Sequence, residues 1–492
     1  MVGSIGRPNQ RPLIGRGKEI ARLQDLMQIT EQAQQSRLRQ KKMPSPPTLS
    51  SDTQPQRPHC VLLSGKRGTG LTRLAEEAAR EANLHNWGVV WCRAYQQEGN
   101  IPYLPWIDAL RNAKEKLWQA QTVAQRPLVY RPLRHLLPEL QDLLPQTGPA
   151  GPTLPGGEQL FLWEAIRILL NSMCERTPLL IVFDDPHWAD DSSSHLLLYL
   201  VREMSSQQVI FLCTCRETIL PTWHTDLQRE RLAEVLQVSR MSDQEIHALL
   251  AGQPTPLAES IIDQASGLPF YAEELARATG GEPFPETIPL EHDLPATVKA
   301  AFTEMLSPLS FTCRQMLDLA SLWGAAFTAK NVERLARQSV AQDLLRKDGL
   351  TTAIEEALGQ GVLEEVIQEG QIFYLFLPSL LASYLYHQIS TSRRERWHRA
   401  MEEEEWSEDA GLPRCAFCPG GLSPLALPEA ADVAMPDDLA LTYRCQQCHQ
   451  VYEIQYRRIN IVALTAEGNP KALIRYCLQC RGLYRDGDAH SC

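Results

Sequence analysis

The sequence predicts an α/β fold, a parallel sheet covered by helices on both faces, and three observations carry that expectation. Four apolar runs, His59–Leu63, 87–92 (WGVVWC), 178–183 (PLLIVF) and 208–215 (QVIFLCTC), alternate with helical segments. Strands buried on both faces read as unbroken apolar runs, the pattern of a parallel sheet. The first run feeds a glycine-rich turn and then a helical stripe of Leu71, Leu74, Ala75, Ala78, Ala79 and Ala82. The third run closes on two aspartates, Asp184 and Asp185. A chain of 492 residues exceeds what one core holds, so about three domains are expected.

Composition sets the outer limits. With 43% hydrophobic and 22% charged residues the chain belongs with globular proteins, not largely disordered ones. A formal net charge of -11 argues against broad binding to nucleic acid or an anionic membrane. The opening MVGSIGRPNQRPLIGR lacks the apolar stretch of a signal peptide, and runs such as PLLIVF are too short to span a bilayer. A cytoplasmic protein with reduced cysteines is expected.

Along the chain, residues 1–37 hold a lead-in helix, because GRGKEIARLQDLMQI sets Ile20, Leu23, Leu26 and Met27 on one face. Residues 38–58, rich in Pro, Ser, Gln and charge, read as a disordered linker. The sheet-bearing core covers 59–240, and a capping box from Ser242 to Glu245 opens a helical lid over 241–290. Over 291–400, helices surround one hairpin at 361–376 (GVLEEVIQEGQIFYLF), the composition of a winged-helix domain. Glu402–Glu405 marks an acidic linker, 401–414, before a cysteine-rich unit at 415–492.

The turn after the first strand carries the chemistry. Within VLLSGKRGTGLT (61–72), Gly65, Gly70 and Thr72 hold the positions of a Walker A loop, G-x-x-x-x-G-K-[ST], with Lys66, Gly68 and Thr69 inside it. Leu71 stands at the lysine position. The backbone amides of such a loop and the helix N-terminus after it still cradle an anion, but the ammonium that reaches the terminal phosphates is gone. An acidic pair at a strand's carboxyl end is where P-loop ATPases hold Mg²⁺ and the attacking water, and Asp184–Asp185 fits that place. Arg216 ends the 208–215 strand where a terminal phosphate can be sensed, and Gly267 and Pro269 lie in SGLPFYAEEL of the lid. Each is ordinary alone: paired aspartates start many helices, an arginine after a strand commonly forms a surface ion pair, and G-x-P is often a turn. In this order and spacing they favour a nucleotide site.

The runs GRGKEIARL, WCRAYQQEGNIPYLPWIDAL, LLIVFDDPHWADDSS, TCRE, VSRMSDQEIHALL, GLPFYAEEL and LPATVKAAF, with the loop, resemble the successive motifs of STAND ATPases. These are signal-transduction ATPases of AAA+-like regulators, including large LuxR-type activators. The stretch FYLFLPSLLASYLYHQISTSRRERWHRAM is similar to the last helices of that family's winged-helix domain. The resemblance covers about residues 12–400, and DDPHWADDSS is its most diagnostic piece. It implies an α/β P-loop NTPase core and an ATP/ADP-gated conformational switch rather than a metabolic enzyme. It also implies that Asp184 holds Mg²⁺, Asp185 orients water, Arg216 senses phosphate and Pro269 touches adenine. Leu71 departs from the pattern, and so does Pro378, where the family usually has a histidine that reads the nucleotide. A missing charge-assisted contact of about 1.5–3 kcal/mol lowers affinity by about one to two decades. A missing transition-state contact costs about 10²–10³ in rate. Weak ATP/ADP binding with poor or no hydrolysis is expected, and Lys66 or Arg67 are the loop cations that could substitute.

Seven of the thirteen cysteines fall between Cys415 and Cys492. Cys415-x-x-Cys418 and Cys445-x-x-Cys448, the second leading into the strand pattern HQVYEIQY, read as a zinc ribbon. A third pair, Cys477 and Cys480, with His490 and Cys492, makes eight candidate ligands for two Zn²⁺ ions. Sequential sites (415/418/445/448 and 477/480/490/492) and a cross-braced set both remain open. The other cysteines, 60, 92, 174, 213, 215 and 313, sit in apolar segments as small core residues. Three functions follow. The first is a regulatory nucleotide-binding module that meets a protein partner through its C-terminal region. The second is a working ATPase with Lys66 compensating for Leu71. The third is a DNA-binding regulator using the winged helix and ribbon. Arg393, Arg394, Arg396 and Arg399 share one helix, but Glu395 and the acidic run beside them weaken a phosphate footprint, so nucleic acid is not favoured. No membrane partner is expected.

Overall fold

Because the apolar runs are buried on both faces, they align as neighbours in one layer. A computed structural model describes residues 13–42, 58–96, 98, 101–114, 116–144, 157–278, 294–338, 349–368 and 370–405, with strands between 422 and 485. The chain divides into two units, Met1–Arg394 and Glu395–Cys492. In the first, β1 (Cys60–Gly65), β2 (Gly88–Arg93), β3 (Leu179–Asp184), β4 (Val209–Arg216) and β5 (Ala233–Val238) form a sheet in the order β2-β3-β4-β1-β5. Every ladder in it is parallel.

Successive side chains of a strand point to opposite faces, and the two cores sort accordingly. Cys60, Leu62, Ile181, Phe183, Phe211 and Cys213 pack on one face with helices Leu104–Ala113, Gly157–Cys174 and Asp191–Glu203. Val61, Leu63, Leu180, Val182, Ile210 and Leu212 pack on the other with helix Leu71–Leu84 and with Leu23, Leu26 and Met27 of helix Gly17–Lys42. This is the expected parallel-sheet α/β core. It carries the carboxyl ends of β1, β3 and β4 to one edge, where the candidate residues gather.

Two boundaries move. The lead-in helix runs to Lys42, past the expected limit at residue 37. Arg39, Gln40, Lys41 and Lys42 are good helix formers, and the helix stops just before the residue that precedes Pro44, where the α conformation is disfavoured. The rest of the expected linker, 43–57, lies outside the described residues. Helix Thr391–Glu405 likewise runs through the first residues of the acidic segment expected to begin at 401.

Beyond β5 the capping box forms as expected: Glu245 N donates to Ser242 Oγ at 3.4 Å, and Ser242 N donates to Glu245 Oε2 at 2.9 Å. Helices Asp243–Leu249, Thr255–Ala265 and Pro269–Ala278 follow. Next come helices Ala296–Leu306 and Phe311–Ala320, strand β6 (Ala326–Phe327), and helices Ala329–Gln338 and Gly349–Gly359. The expected hairpin is β7 (Leu363–Gln368) with β8 (Gln371–Phe376), ahead of helix Leu380–Gln388, and β6-β8-β7 make an antiparallel sheet. The Tyr271 ring stacks on Phe302 at 5.6 Å, tying the lid to helix Ala296–Leu306.

The second unit holds a six-stranded antiparallel meander, β9 (Leu422–Pro424), β10 (Ala440–Cys445), β11 (Val451–Gln455), β12 (Ile461–Leu464), β13 (Pro470–Tyr476) and β14 (Leu483–Arg485). Only β11 was expected, from HQVYEIQY. Cys445 ends β10 opposite Leu422. The other candidate zinc ligands, Cys415, Cys418, Cys448, Cys477, Cys480, His490 and Cys492, lie outside the described residues. Among the described residues, no helix is long and apolar enough to cross a membrane.

Candidate nucleotide site

The loop between β1 and helix Leu71–Leu84 is shaped by its glycines. Gly68 and Gly70 adopt φ of 84° and 89°, a left-handed conformation that side chains disfavour. A Cβ on Gly65 would stand 2.7 Å from the Val238 carbonyl oxygen, and one on Gly68 would stand 3.2 Å from the Tyr271 ring. Gly70 is the helix N-cap and no side chain caps it. The first amides of a helix have no intrahelical acceptor, so here they present a positive end at the loop. Helix Pro269–Ala278 lies against this turn: Phe270 N donates to Gly68 O at 3.2 Å, and Pro269 Cγ lies 3.8 Å from the Cβ position of Gly70.

Arg16 braces the loop from beneath. It is 4% exposed, and its guanidinium donates to Thr69 O at 2.9 Å and Ser239 O at 2.8 Å. Burial pulls its pKa down from the ordinary value, against the opposing charges of Glu19 and Glu245.

Thr72 Oγ1 donates to Asp184 Oδ1 at 3.0 Å, and Thr214 Oγ1 donates to the same oxygen at 2.7 Å. Asp184 is wholly buried, and its Oδ2 makes no hydrogen bond, although Arg93 Nε stands 3.3 Å away. A buried carboxylate with an unsatisfied oxygen beside a threonine hydroxyl suits a hard divalent cation such as Mg²⁺. Asp185 adopts φ of 56°, and its amide donates to Thr214 Oγ1 at 2.9 Å. Burial, then the charge of Asp184, pushes its carboxyl up to about 6. His187 Nδ1 stands 3.9 Å from Asp185 Oδ1, and neither ring nitrogen makes a hydrogen bond. Burial, then Arg216 and Arg67, pulls this imidazole down to about 4, so it is neutral near pH 7.

Leu71 turns back over the loop. Its Cδ2 lies 3.3 Å from the Cβ position of Gly65, and the side chain packs against the core that includes Val61, Leu63 and Leu74. The loop cations turn outward to carboxylates of the region after the lid. Lys66 Nζ meets Glu364 Oε1 at 3.0 Å, and Arg240 also reaches Glu364 at 3.0 Å. Arg67 pairs with Glu304, and Arg216 Nη2 meets the same Glu304 Oε1 at 3.3 Å. Arg216 also lies over the Trp188 ring at 5.7 Å. Burial, then repulsion from Arg216, pulls Arg67 below its ordinary pKa. A cavity of about 270 Å³ opens here, lined by Lys66, Arg67, Trp188, Arg216, Glu304 and Met305 among others.

The fold thus brings together Gly65, Lys66, Gly68, Thr69, Gly70, Leu71, Thr72, Asp184, Asp185, Arg216 and Pro269. Sequence reasoning gave no role to Arg16, Arg93, His187, Glu304 or Glu364. Arg16 was in view within the GRGKEIARL run, but its burial is not readable from composition. Among the described residues no group of three or more His, Cys, Asp or Glu is arranged to hold a metal ion. Cys60, Cys92, Cys174, Cys213, Cys215 and Cys313 are free and buried, as expected.

Residues 48–212 match the family model described as an AAA ATPase domain. An uncharacterized protein of Rhizobium meliloti (strain 1021) is 23% identical over 239 residues, covering 47% of this chain but only 23% of that relative. Among solved structures, the Walker-type ATPase of Pyrococcus abyssi is similar at 14% identity and a TM-score of 0.46, over 77% of this chain and 99% of that one. A STAND protein of Pyrococcus horikoshii with a tetratricopeptide repeat sensor gives 13% identity and a TM-score of 0.25, over 72% and 44%. The Orc1 protein of Aeropyrum pernix, solved in complex with DNA, gives 14% and 0.34, over 78% and 94%. The matched segment contains Gly65–Thr72, Asp184 and Asp185 and stops short of Arg216 and Pro269. Residues 48–212 are therefore similar to an AAA ATPase domain, and four of the five strands of the parallel-sheet α/β core begin within them.

Proposed function

We propose that residues 59–278 bind ATP or ADP weakly with Mg²⁺, hydrolyse it poorly or not at all, and act as a regulatory switch of the STAND type. One observation carries the reading: the Thr72–Asp184 pair, 3.0 Å apart, sits beneath a helix N-terminus that no side chain caps. Asp184 and Thr72 would hold Mg²⁺, which neutralises phosphate charge when bound. Asp185, ionised above about pH 6, would orient water, Arg216 would sense the terminal phosphate, and Pro269 would meet adenine. Leu71 removes the cation that turnover needs. Compensation by Lys66 has less support, because its ammonium already pairs with Glu364 at 3.0 Å. Calorimetry with Mg-ATP and Mg-ADP, alongside a turnover assay, tests the reading. Micromolar or weaker binding without appreciable hydrolysis is expected, and nanomolar ATP affinity or rapid turnover would overturn it.

The helix–strand–helix–helix–hairpin order over residues 311–376 supports a winged-helix assignment for 291–400. Glu304 and Glu364 turn this region toward the loop, which favours an internal regulatory role over DNA binding. Pro378 has no polar side chain for a nucleotide, and these two carboxylates make the contacts to the loop instead.

The unit 415–492 is read as a zinc-binding contact surface for a protein partner of a cytoplasmic regulator. The strand registers put Cys445, paired with Leu422, at one end of the meander and Tyr476, paired with Leu483, at the other. That separation favours sequential sites, 415/418/445/448 and 477/480/490/492, over a cross-braced set. Metal analysis of reduced protein should find about two zinc ions per chain, and finding none removes this part of the proposal.

A further inference from the structure

We infer that Glu304 makes the site select a nucleoside diphosphate over a triphosphate, by occupying the two arginines that a terminal phosphate would meet. The inference rests on the nucleotide reading above and names its ligand more closely. Arg67 lies within the glycine-rich turn, and Arg216 ends β4 directly beside Gly65 in the β1–β4 ladder. Both arginines start from the border of the loop, and both line the cavity beside it. One oxygen, Glu304 Oε1, engages both: it pairs with Arg67 and stands 3.3 Å from Arg216 Nη2. The arginine side chains are only 21% and 20% exposed, so these pairs are partly shielded from water. A carboxylate and a phosphate oxygen ask the same thing of a guanidinium, two in-plane acceptors carrying negative charge. They therefore compete for one place.

Glu304 has a side chain that is 37% exposed, but its backbone is held close to the loop. It follows Phe302 by two residues on helix Ala296–Leu306, and Phe302 stacks on Tyr271 at 5.6 Å. Tyr271 in turn lies 3.2 Å from the Cβ position of Gly68. The helix carrying the carboxylate is thus registered on the phosphate loop itself. Arg67, Arg216 and Glu304 line one cavity of about 270 Å³. A diphosphate on the loop amides leaves Glu304 where it is. A triphosphate must push its third phosphoryl group against Glu304 and take the two arginines from it.

The test is calorimetry of Mg-ADP and Mg-ATP on the full chain and on Glu304→Gln, which keeps shape and removes charge. The native protein should prefer ADP by about tenfold or more, the size of one charge-assisted contact. In Glu304→Gln the ratio should fall to near one or invert, through tighter ATP with ADP little changed. Glu304→Asp, which withdraws the charge by one methylene, should fall between the two, and it keeps the test decisive if the Gln variant does not fold. Equal native affinities, or a ratio unmoved by Glu304→Gln, overturn the inference while nucleotide binding stands. Binding of neither nucleotide to any variant overturns the nucleotide reading, and this inference with it.

Discussion

Replacing Leu71 with lysine returns an ammonium to a position whose surroundings are defined. The leucine packs on Val61, Leu63 and Leu74, with Cδ2 at 3.3 Å from the Cβ position of Gly65. Losing part of that burial costs about 1–2 kcal/mol of fold stability, reduced because a lysine stem covers apolar surface while its head reaches outward. Without ligand, the new ammonium would compete with Arg93, 3.3 Å from Asp184 Oδ2, for an oxygen that makes no hydrogen bond. With nucleotide bound, a charge-assisted phosphate contact contributes about 1.5–3 kcal/mol. At about 1.4 kcal/mol per decade, ATP should bind about ten- to a hundredfold more tightly. Turnover should rise by about 10²-fold if Asp185 is otherwise in place. Calorimetry with Mg-ATP reads the affinity, and thermal unfolding without ligand reads the cost to the fold. An unchanged affinity in a folded Leu71→Lys protein would mean that the loop is not a phosphate site.

Arg16→Ala strips a buried charged donor from the Thr69 and Ser239 carbonyls and should cost about 2–4 kcal/mol in denaturant unfolding; a loss below about 0.5 kcal/mol would show that the loop does not depend on this brace. Burial raises the Asp318 carboxyl to about 6, against the opposing pull of Arg393, so the folded state favours the neutral acid. The associated stability is complete below an unfolded pKa of about 4 and is lost as pH rises through about 6. Asp318→Asn should therefore melt higher than the native protein at pH 7.5 and match it near pH 4, and equal melting at pH 7.5 contradicts this. Cys445→Ser should lower bound zinc by about one ion while leaving the unfolding of residues 59–278 in place, since Cys445 belongs to the separate C-terminal unit; unchanged zinc content removes it from the ligand set.

The parts of the fold legible in the sequence are those whose cause is local. β1, β3 and β4 are buried along almost their whole length, so they read as apolar runs without any knowledge of neighbours. β5, AEVLQV, gave no such signal because Glu234 and Gln237 interrupt its apolar run, and only its two end residues are buried. Its Glu234 turns outward to meet Arg22 at 2.8 Å. The loop glycines and the aspartate pair were legible for the same reason: a turn and a strand end are short-range events. Arg16 and Glu304 were not, because Arg16 acts 53 residues away on Thr69 and Glu304 acts 88 residues away on Arg216. In isolation both look like solvated helix charges. The position of an ion pair across a fold is set by packing, and no local pattern encodes it.

Leu71 and these carboxylates bear on the same quantity. Three of the cations that border the phosphate loop pair with carboxylates from beyond residue 290: Lys66 with Glu364, and Arg67 and Arg216 with Glu304. A nucleotide that recruits any of them must loosen helix Ala296–Leu306 or β7 from the loop. A ligand shifts a conformational equilibrium only by the difference in its affinity for the two states. That difference resides here in contacts which form with phosphate or with Glu304 and Glu364, but not with both. Leu71 makes none of these contacts. On the proposed function, a leucine in place of the lysine would lower affinity for nucleotide in either state and slow turnover, yet leave intact the competition that links occupancy to the position of helix Ala296–Leu306 and β7. Poor hydrolysis and a working switch, the two parts of the proposed function, are therefore compatible in one site, because they would depend on different residues.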